Sequence, residues 1–231
     1  KAISPEDYDK IIGLAKKRAE GTPLQYVLGE TEFCGYKIKV TKDVLIPRSD
    51  TESVAEKAWS LLSEKNSALD LCTGSGCIAI AVQKRSGCKM WASDISPAAL
   101  SVARQNAEAN GAEITFVQSD MFSSIEGSFD LIVCNPPYIK WAEIERLESV
   151  VKDYEPRSAL DGGEDGLKFY RIIADQARRF LNPGGRLVLE VGDGQAEQVE
   201  AVFRQYAGYE DIAVYKDLSG NERIFTARFN G

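Results

Sequence analysis

The chain of 231 residues is 44% hydrophobic and 27% charged, which is typical of a water-soluble globular protein built around one large domain. Its 28 basic and 35 acidic side chains give a net charge of −7, which argues against a surface that neutralises nucleic-acid phosphates. It has no histidine, which excludes Ser-His-Asp and Cys-His catalysis and histidine-containing metal sites.

The cysteines and the apolar runs indicate a cytoplasmic protein. Cys34, Cys72, Cys77, Cys88 and Cys134 are scattered and form no CxxC pair, which favours free thiols over a disulfide framework or a zinc site. No apolar run approaches the ~18 residues that span a bilayer, and KAISPEDYDK lacks the apolar region of a signal peptide. We therefore expect neither a metal ion nor a membrane partner.

The first segment predicts one helix, from about Ser4 to Glu20. Ser4 is a suitable N-cap, Pro5 suits the first helical position, and basic residues at 16–18 precede Gly21. We interpret residues 1–21 as the last helix of a truncated N-terminal helical domain.

Residues 22–50 are predicted to form a linker with a β-hairpin. The segment TEFCGYKIKVTKDV, from Thr31 to Val44, alternates apolar and polar residues, with Gly35 near the turn. Pro47 ends the extended piece, and Ser49 or Asp50 is placed to cap a helix that begins near Thr51.

Strands and helices alternate through residues 51–231. The predicted strands are Ala68–Leu71, Met90–Ser93, Thr115–Gln118, Asp130–Cys134, Arg186–Val191, Asp211–Tyr215 and Glu222–Arg228. The predicted helices are Ser53–Glu64, Cys77–Arg85, Pro97–Asn110, Gly166–Phe180 and Gln195–Tyr206. This order predicts an α/β fold with a parallel sheet covered by helices on both faces. The short turn at 217–221 predicts that the last two strands pair antiparallel at one edge.

The first of these strands leads into a glycine-containing loop, LDLCTGSGCIAIAV. Asp70, Cys72, Gly74 and Gly76 are spaced so that the backbone can turn tightly and approach a ligand ahead of a helix N-terminus. An ordinary tight turn in an unrelated α/β domain is the alternative. The loop resembles the nucleotide-binding turn of class I S-adenosylmethionine-dependent methyltransferases, (D/E)xGxGxG, with Cys72 in place of the first glycine.

The next two strand ends fit the same resemblance. Asp94 ends the second strand, where a carboxylate can accept hydrogen bonds from two ribose hydroxyls. The alternative is that Asp94 or Ser96 caps the following helix. The third strand ends in QSDMF, and class I methyltransferases often place Asp120 and Met121 beside the adenine; a simple strand-end turn is equally compatible.

The fourth strand ends abruptly in Asn-Pro-Pro-Tyr, residues 135–138. Its apolar run predicts a strand buried on both faces, and the two prolines stop the ladder. The Asn135 side-chain oxygen and the Pro136 carbonyl could accept the two N–H bonds of a planar NH₂ group, while Tyr138 lies against its flat face. Pro137 would help to fix that geometry. A proline-rich strand exit with Tyr138 in the core is the alternative.

Five flanking segments carry a more specific resemblance. They are TPLQYVLGETEFCGYKIKV from Thr22, VLIPRSDTE from Val44, YEPRSALDGGEDGLKFYRIIADQA from Tyr154, LNPGGRLVLEVGDGQ from Leu181 and DLSGNERI from Asp217. The chain thereby resembles the protein-(glutamine-N5) methyltransferase family, which acts on peptide chain release factors in translation termination.

The resemblance implies a Rossmann-like catalytic domain at 51–231, with a seven-stranded sheet and an antiparallel edge strand. It implies that S-adenosylmethionine, with no metal, is bound by Cys72, Thr73, Gly74, Ser75, Gly76, Asp94, Met121 and Asn135. It further implies that the glutamine of the release factor's Gly-Gly-Gln loop is bound by Asn135, Pro136, Pro137 and Tyr138, with Asn135, Pro136 and Tyr138 in catalytic roles.

Several alternatives remain open at this point. A relative that methylates a glutamine of a ribosomal protein shares almost every motif. An adenine methyltransferase would need a flipped base and a basic surface, and a donor-binding regulator would need no acceptor site. Arg48 and Glu52 either shape the substrate entrance or form a linker salt bridge of small energetic value.

Overall fold

The computed structural model describes residues 3–231, so residues 1 and 2 of the predicted first segment lie outside the described residues. Within that range, every helix falls short of the length and apolar content that a membrane crossing requires.

The N-terminal segment forms the helix α1 (Pro5–Ala19), close to its predicted bounds. The Ser4 side chain accepts a hydrogen bond from the Asp7 backbone N–H at 3.1 Å, so the predicted N-cap is confirmed. A second helix, α2 (Leu24–Leu28), was not predicted, because five residues are too few to show helical periodicity.

The predicted β-hairpin is present as β1 (Glu30–Phe33) and β2 (Tyr36–Lys39), which pair antiparallel. Its strands are shorter than the alternating segment, and its turn is formed by Cys34 and Gly35, both with positive φ. Asn106 fixes the hairpin to the main domain, since its side chain accepts from Lys39 N at 2.7 Å and donates to Lys39 O at 3.0 Å.

The described part of the chain contains a seven-stranded sheet in the order β5-β4-β3-β6-β7-β9-β8. Its strands are β3 (Ser67–Leu71), β4 (Lys89–Asp94), β5 (Ile114–Gln118), β6 (Phe129–Cys134), β7 (Leu181–Glu190), β8 (Tyr209–Lys216) and β9 (Glu222–Phe229). The strands β3 to β7 pair parallel, whereas β9 runs antiparallel to both β7 and β8. The antiparallel pairing is confirmed, but β9 lies inside the sheet and β8 forms the edge.

Helices cover both faces of the sheet, as predicted. They are α3 (Ser49–Ser60), α4 (Cys77–Ser86), α5 (Pro97–Asn110), α6 (Trp141–Ile144), α7 (Ser149–Lys152), α8 (Lys168–Gln176) and α9 (Ala196–Phe203), with 3-10 turns at Arg157–Ala159 and Ala177–Arg179. The predicted cap of α3 is wrong: Arg48 occupies the cap position without a side-chain hydrogen bond, and Ser49 and Asp50 lie within the helix.

The strand β6 shows why its sequence is continuously apolar. Leu131 and Val133 belong to the core beneath α3, α4 and α5, whereas Ile132 and Cys134 belong to the core beneath α8 and α9. Because β3, β4, β5 and β6 pair parallel, their carboxyl ends lie on one side of the sheet, where ligands bind in folds of this kind.

Candidate active site

A cavity of about 440 Å³ opens at the carboxyl ends of β3 to β6. Residues between 43 and 51 form one wall, and residues between 156 and 172 form another. The volume suits a small-molecule ligand. The cavity is lined by most of the predicted site residues: Cys72, Thr73, Gly74, Ser75, Asp94, Met121, Asn135 and Pro137.

The glycine-containing loop combines ligand access with helix packing. Cys72 has a φ of +61°, which is a left-handed backbone conformation. A glycine would adopt this conformation without steric cost, whereas the Cβ of a cysteine makes it less favourable. A Cβ at Gly74 would meet no atom within 4 Å, so the loop is open there. A Cβ at Gly76 would lie 3.1 Å from Ala103 Cβ, so this glycine allows α4 and α5 to pack closely.

Asp70 fixes the shape of this loop from inside the protein. Its Oδ2 accepts from the Thr73 hydroxyl at 2.6 Å and from Ala79 N at 3.2 Å. Burial raises the pKa of Asp70 to about 7, against the lowering effect of these hydrogen bonds and with a further increase from the nearby Asp94 charge.

Asp94 lines the cavity at the end of β4. Oδ2 accepts from Gly74 N at 2.9 Å and Oδ1 accepts from Ser96 N at 2.9 Å, which links the ends of β3 and β4. The cap of α5 is supplied by Ser96, whose hydroxyl accepts from Ala99 N at 3.2 Å. Burial raises the pKa of Asp94, although backbone hydrogen bonds from Ser96, Gly74 and Ile95 oppose the change.

Met121 contributes an apolar wall beside Asp120. Its Sδ atom lies 3.8 Å from Cys72 Sγ, and its backbone has a φ of +49°. Ser119 supports this turn, because its hydroxyl donates to Met121 O at 2.8 Å and its N–H donates to Asp94 O at 3.0 Å.

The Asn-Pro-Pro-Tyr corner is packed tightly by the segments that follow it. Asn135 and Pro137 line the cavity and Pro136 is buried. The Gln195 side chain donates to Tyr138 O at 3.0 Å. A Cβ at Gly166 would lie 2.5 Å from Tyr138 O, so the corner depends on a residue without a side chain at this position.

Thr51 and Glu190 connect the two ends of the corner. Asn135 Nδ2 donates to Thr51 Oγ1 at 3.4 Å, and Thr51 Oγ1 donates to Glu190 Oε2 at 2.6 Å. The Tyr138 hydroxyl donates to Glu190 Oε1 at 3.3 Å. Burial raises the pKa of Glu190, although the Thr51 hydrogen bond, the charge of Arg223 and the Tyr138 hydrogen bond act in the opposite direction.

Local sequence patterns predict no role for Thr51 or Glu190. The position of Glu190 in the sequence could have indicated a site residue, because Glu190 ends β7 just as Asp94 ends β4. Tyr138, predicted to lie against the acceptor, turns its hydroxyl to Glu190 instead of to the cavity.

Arg48 and Glu52 do not pair with each other, so the alternative of a linker salt bridge between them is ruled out. Arg48 lines the cavity and pairs with the buried carboxylate of Glu155, which also accepts from Ile46 N at 3.1 Å. Glu52 accepts from Cys34 N at 2.8 Å. Arg48 therefore joins the two walls of the cavity, and its role at the substrate entrance stays a prediction.

Comparison with protein families and curated proteins gives a consistent result. The model of the family "Methyltransferase small domain" matches residues 52–152. The release factor glutamine methyltransferase of Geobacter sulfurreducens is 44% identical over 230 residues, covering 99% of this chain and 81% of the relative. That of Thermodesulfovibrio yellowstonii is 41% identical, covering 96% of this chain and 82% of the relative.

Solved structures share the fold. A methyltransferase from Pyrococcus furiosus superposes with a TM-score of 0.66 at 21% identity, covering 99% of this chain and 100% of that one. The 16S rRNA N2 G1207 methyltransferase of T. thermophilus, solved with AdoMet and guanosine, gives a TM-score of 0.63 at 17% identity, covering 87% of this chain and 49% of that one. At these identities the likeness establishes a class I methyltransferase fold and nothing about the substrate.

Proposed function

The chain belongs to the family of release factor glutamine methyltransferases, and from that premise we propose that it methylates a release factor. The methyl group would pass from S-adenosylmethionine to the side-chain amide nitrogen of the glutamine in the Gly-Gly-Gln loop. The observation that carries this proposal is the shared cavity, since Asn135 lines the same space as Gly74 and Asp94.

The residues of the cavity fit the methyl donor. S-adenosylmethionine, when bound, supplies an electrophilic methyl group on a sulfonium sulfur. The open face at Gly74 gives room for a ligand, and Asp94 retains lone pairs that can accept from ribose hydroxyls. Asp120 would accept from the exocyclic amine of the adenine, and Met121 would pack against its ring.

The acceptor side must overcome the low nucleophilicity of a carboxamide nitrogen, whose lone pair is delocalised into the carbonyl. Asn135 Oδ1 and the Pro136 carbonyl would accept the two N–H bonds of the substrate amide, which favours a pyramidal nitrogen directed at the methyl group. Because the prolines fix the backbone, these acceptors are in place before the reaction. The attached proton becomes acidic after methyl transfer, so the site needs no strong base.

We assign the catalytic domain to residues 51–231 and the linker to residues 22–50. In this arrangement the hairpin packs on α5 through Asn106, Arg48 brings the end of the linker to the cavity, and the boundary falls in the first turn of α3. We assign residues 1–21 to a helical domain that would contact the release factor. Nucleic acid and membranes are not expected as partners, in keeping with the net charge of −7.

The test is methylation of a bacterial release factor with a methyl-labelled donor, read by mass spectrometry of the peptide that contains the Gly-Gly-Gln loop. The expected result is one added methyl group on the glutamine. A release factor with alanine in place of that glutamine should remain unlabelled. An unmodified glutamine in the presence of folded, donor-binding protein would refute the proposal.

Two further substrates separate the alternatives in the same assay. Label on a ribosomal protein, with none on the release factor, would assign the chain to the related glutamine methyltransferases. Label on duplex DNA, decreasing as salt increases, would assign it to the adenine methyltransferases.

A further inference from the structure

We infer that Glu190, acting through Thr51, sets the orientation of the Asn135 side chain, so that its oxygen and not its NH₂ group faces the substrate amide. Glu190 and Thr51 are thus positioning residues for methyl transfer. The inference rests on the proposed function and adds to it the means by which the acceptor geometry is held.

The orientation of Asn135 decides whether the site can work. Its carboxamide presents an acceptor at one end and two donors at the other, and the two ends have nearly the same shape. The substrate NH₂ group is itself a donor. With Asn135 reversed, donors would face donors, and these polar groups would be left without hydrogen-bond partners.

Thr51 selects one of the two orientations. Its hydroxyl has a single proton, and the 2.6 Å distance to Glu190 Oε2 is that of a charge-assisted hydrogen bond. An ionised carboxylate can only accept, so Thr51 must donate to it. Thr51 Oγ1 then has only lone pairs for Asn135 Nδ2, which lies 3.4 Å away. A reversed amide would place two acceptors against each other, so Asn135 Oδ1 is left for the cavity.

Three neighbours of Glu190 favour its ionised form against the effect of burial at 2% exposure: Thr51, Tyr138 and Arg223. The Tyr138 hydroxyl donates to Oε1 at 3.3 Å. Arg223 supplies the compensating charge from β9 and is held in place by Val191 O at 3.0 Å and by Asp217 at 3.5 Å. One residue therefore fixes both Asn135, through Thr51, and Tyr138 directly.

The arrangement predicts a dependence on pH. The titratable and charged groups that face Glu190 are Arg223, Asp50, Tyr138 and Tyr170, of which Arg223 favours its ionised form. Burial moves the pKa of Glu190 upward, so acid protonates it sooner than an exposed glutamate. Once protonated, Glu190 no longer obliges Thr51 to donate, and the orientation of Asn135 is no longer selected. The kcat of the wild-type protein should therefore fall on the acid side.

The experiment compares Thr51→Val, Thr51→Ser and Glu190→Gln with the wild-type protein, measuring kcat, KM for the release factor and Kd for the donor. Thr51→Val should lower kcat roughly 10- to 100-fold, as expected for a misdirected hydrogen bond. The donor Kd should stay within about twofold. Thr51→Ser keeps the hydroxyl and should retain most of the activity. Glu190→Gln should lower kcat and remove the acid-side decline.

A matched control is available in Thr226→Val. Thr226 is a buried threonine of β9 whose hydroxyl donates to Ala213 O at 3.4 Å, away from the cavity. Thr226→Val removes a buried threonine hydroxyl, as Thr51→Val does, but it should keep the wild-type kcat.

The outcomes distinguish the proposed methylation of a release factor from the positioning role of Thr51 and Glu190. A wild-type protein that binds the donor but methylates no release factor refutes the proposed function, and the inference with it. A wild-type protein that methylates the glutamine, together with a folded Thr51→Val variant of unchanged kcat, refutes the inference alone. The same holds if Glu190→Gln keeps the acid-side decline of the wild-type protein.

Discussion

Three carboxylates hold the loops around the cavity, of which Asp70 and Glu190 are buried and Asp94 is half-buried. Asp70 fixes the glycine-containing loop, Asp94 joins the ends of β3 and β4, and Glu190 fixes the Asn-Pro-Pro-Tyr corner. Burial raises the pKa of each of these carboxyl groups. At neutral pH the folded protein is therefore less stable than it would be with the same groups exposed to solvent, but the groups keep these loops in place.

The pKa of Asp70 gives a prediction about stability. Its value of about 7 lies above the ordinary value of 3.8, so the folded state binds the proton more tightly. Its contribution to the free energy of unfolding is therefore lost as pH rises toward 7. Asp70→Asn removes this titration while keeping an acceptor for Thr73. Between pH 5 and 8 the wild-type protein should lose on the order of 2 kcal/mol relative to the variant, measured by urea unfolding. Parallel curves would contradict the expectation.

Variants of Asn135 and Asp94 should affect different steps: the first should impair methyl transfer to the acceptor, and the second should weaken binding of the donor. Asn135→Ala removes an acceptor for the substrate amide, so kcat should fall about 100-fold with the donor Kd little changed. Asp94→Asn weakens the contacts proposed for the ribose and should raise the donor Kd about tenfold. Calorimetric titration of the donor and steady-state kinetics measure the two effects. A large change in donor Kd for Asn135→Ala would argue against this division.

Local patterns predicted Asn135 and Asp94, because each ends a strand whose burial can be read from adjacent residues. They could not predict Thr51 or Glu190. Thr51 meets Glu190 across 139 positions and Asn135 across 84, and the pairing exists only after the sheet has formed. For the same reason, the local sequence offers Glu52 as a possible partner of Arg48 and gives no sign of Glu155.

Among the elements, the helix α5 was predicted with its observed bounds because both ends carry signals. Ser96 caps it, Pro97 occupies the first turn, and Gly111 ends it in a left-handed conformation. The helices α2, α6 and α7, of five, four and four residues, carry no comparable pattern and were missed.

Two glycines near the corner give a prediction at this scale. Gly166 and Gly194 both have positive φ, of +76° and +68°, so alanine at either position carries a similar backbone cost of about 1 kcal/mol. The two sites differ in space. A Cβ at Gly166 would meet Tyr138 O at 2.5 Å and Gln195 Nε2 at 2.6 Å, whereas at Gly194 nothing lies within 4 Å.

Gly166→Ala should therefore destabilise the protein more than Gly194→Ala does, and it should also lower kcat by displacing the corner. Urea unfolding and steady-state kinetics of both variants measure the difference. Equal losses would show that conformation alone, and not the close approach to Tyr138, requires glycine at position 166.

At the scale of the whole molecule, Glu155 holds the proposed linker against the proposed catalytic domain. It accepts from Ile46 N and pairs with Arg48 across more than 100 positions of sequence, and both partners lie at the end of the linker. The two walls of the cavity are therefore coupled.

Glu155→Gln should raise KM for the release factor several-fold, with a smaller effect on kcat, because the walls loosen while Asn135 keeps its contacts. Arg48→Met should have the same effect, and the double variant should be less impaired than the sum of the two. Arg48 is 41% exposed in its side chain, so its pairing contributes less than that of a fully buried pair.

The exposed pair of Glu200 and Arg204 provides a control, since Glu200→Gln there should leave KM unchanged. Full additivity of the Glu155 and Arg48 variants would show that the two walls act independently.

The sequence also indicated the type of fold at this scale but not the order of the strands. The short turn between β8 and β9 predicts that these two strands pair, but it does not predict which of them is the edge strand of the sheet. Its place between β7 and β8 is set by the packing of Phe225 with Phe203 and by the contacts of Arg223 with Val191 and Asp217.

The interior position of β9 has a consequence for synthesis of the chain. Among the described strands, β9 leaves the ribosome last, yet its Ile224 pairs with Glu190 and its Arg223 compensates the charge of that carboxylate. The sheet from β3 to β7 can begin to fold during translation, whereas the proposed acceptor site is completed only when β9 inserts. A chain interrupted before Glu222 would retain the loop around Gly74 and Asp94 but lack the support for Asn135. A nascent chain would therefore acquire the proposed methyl-transfer geometry only after β9 has emerged and paired with β7.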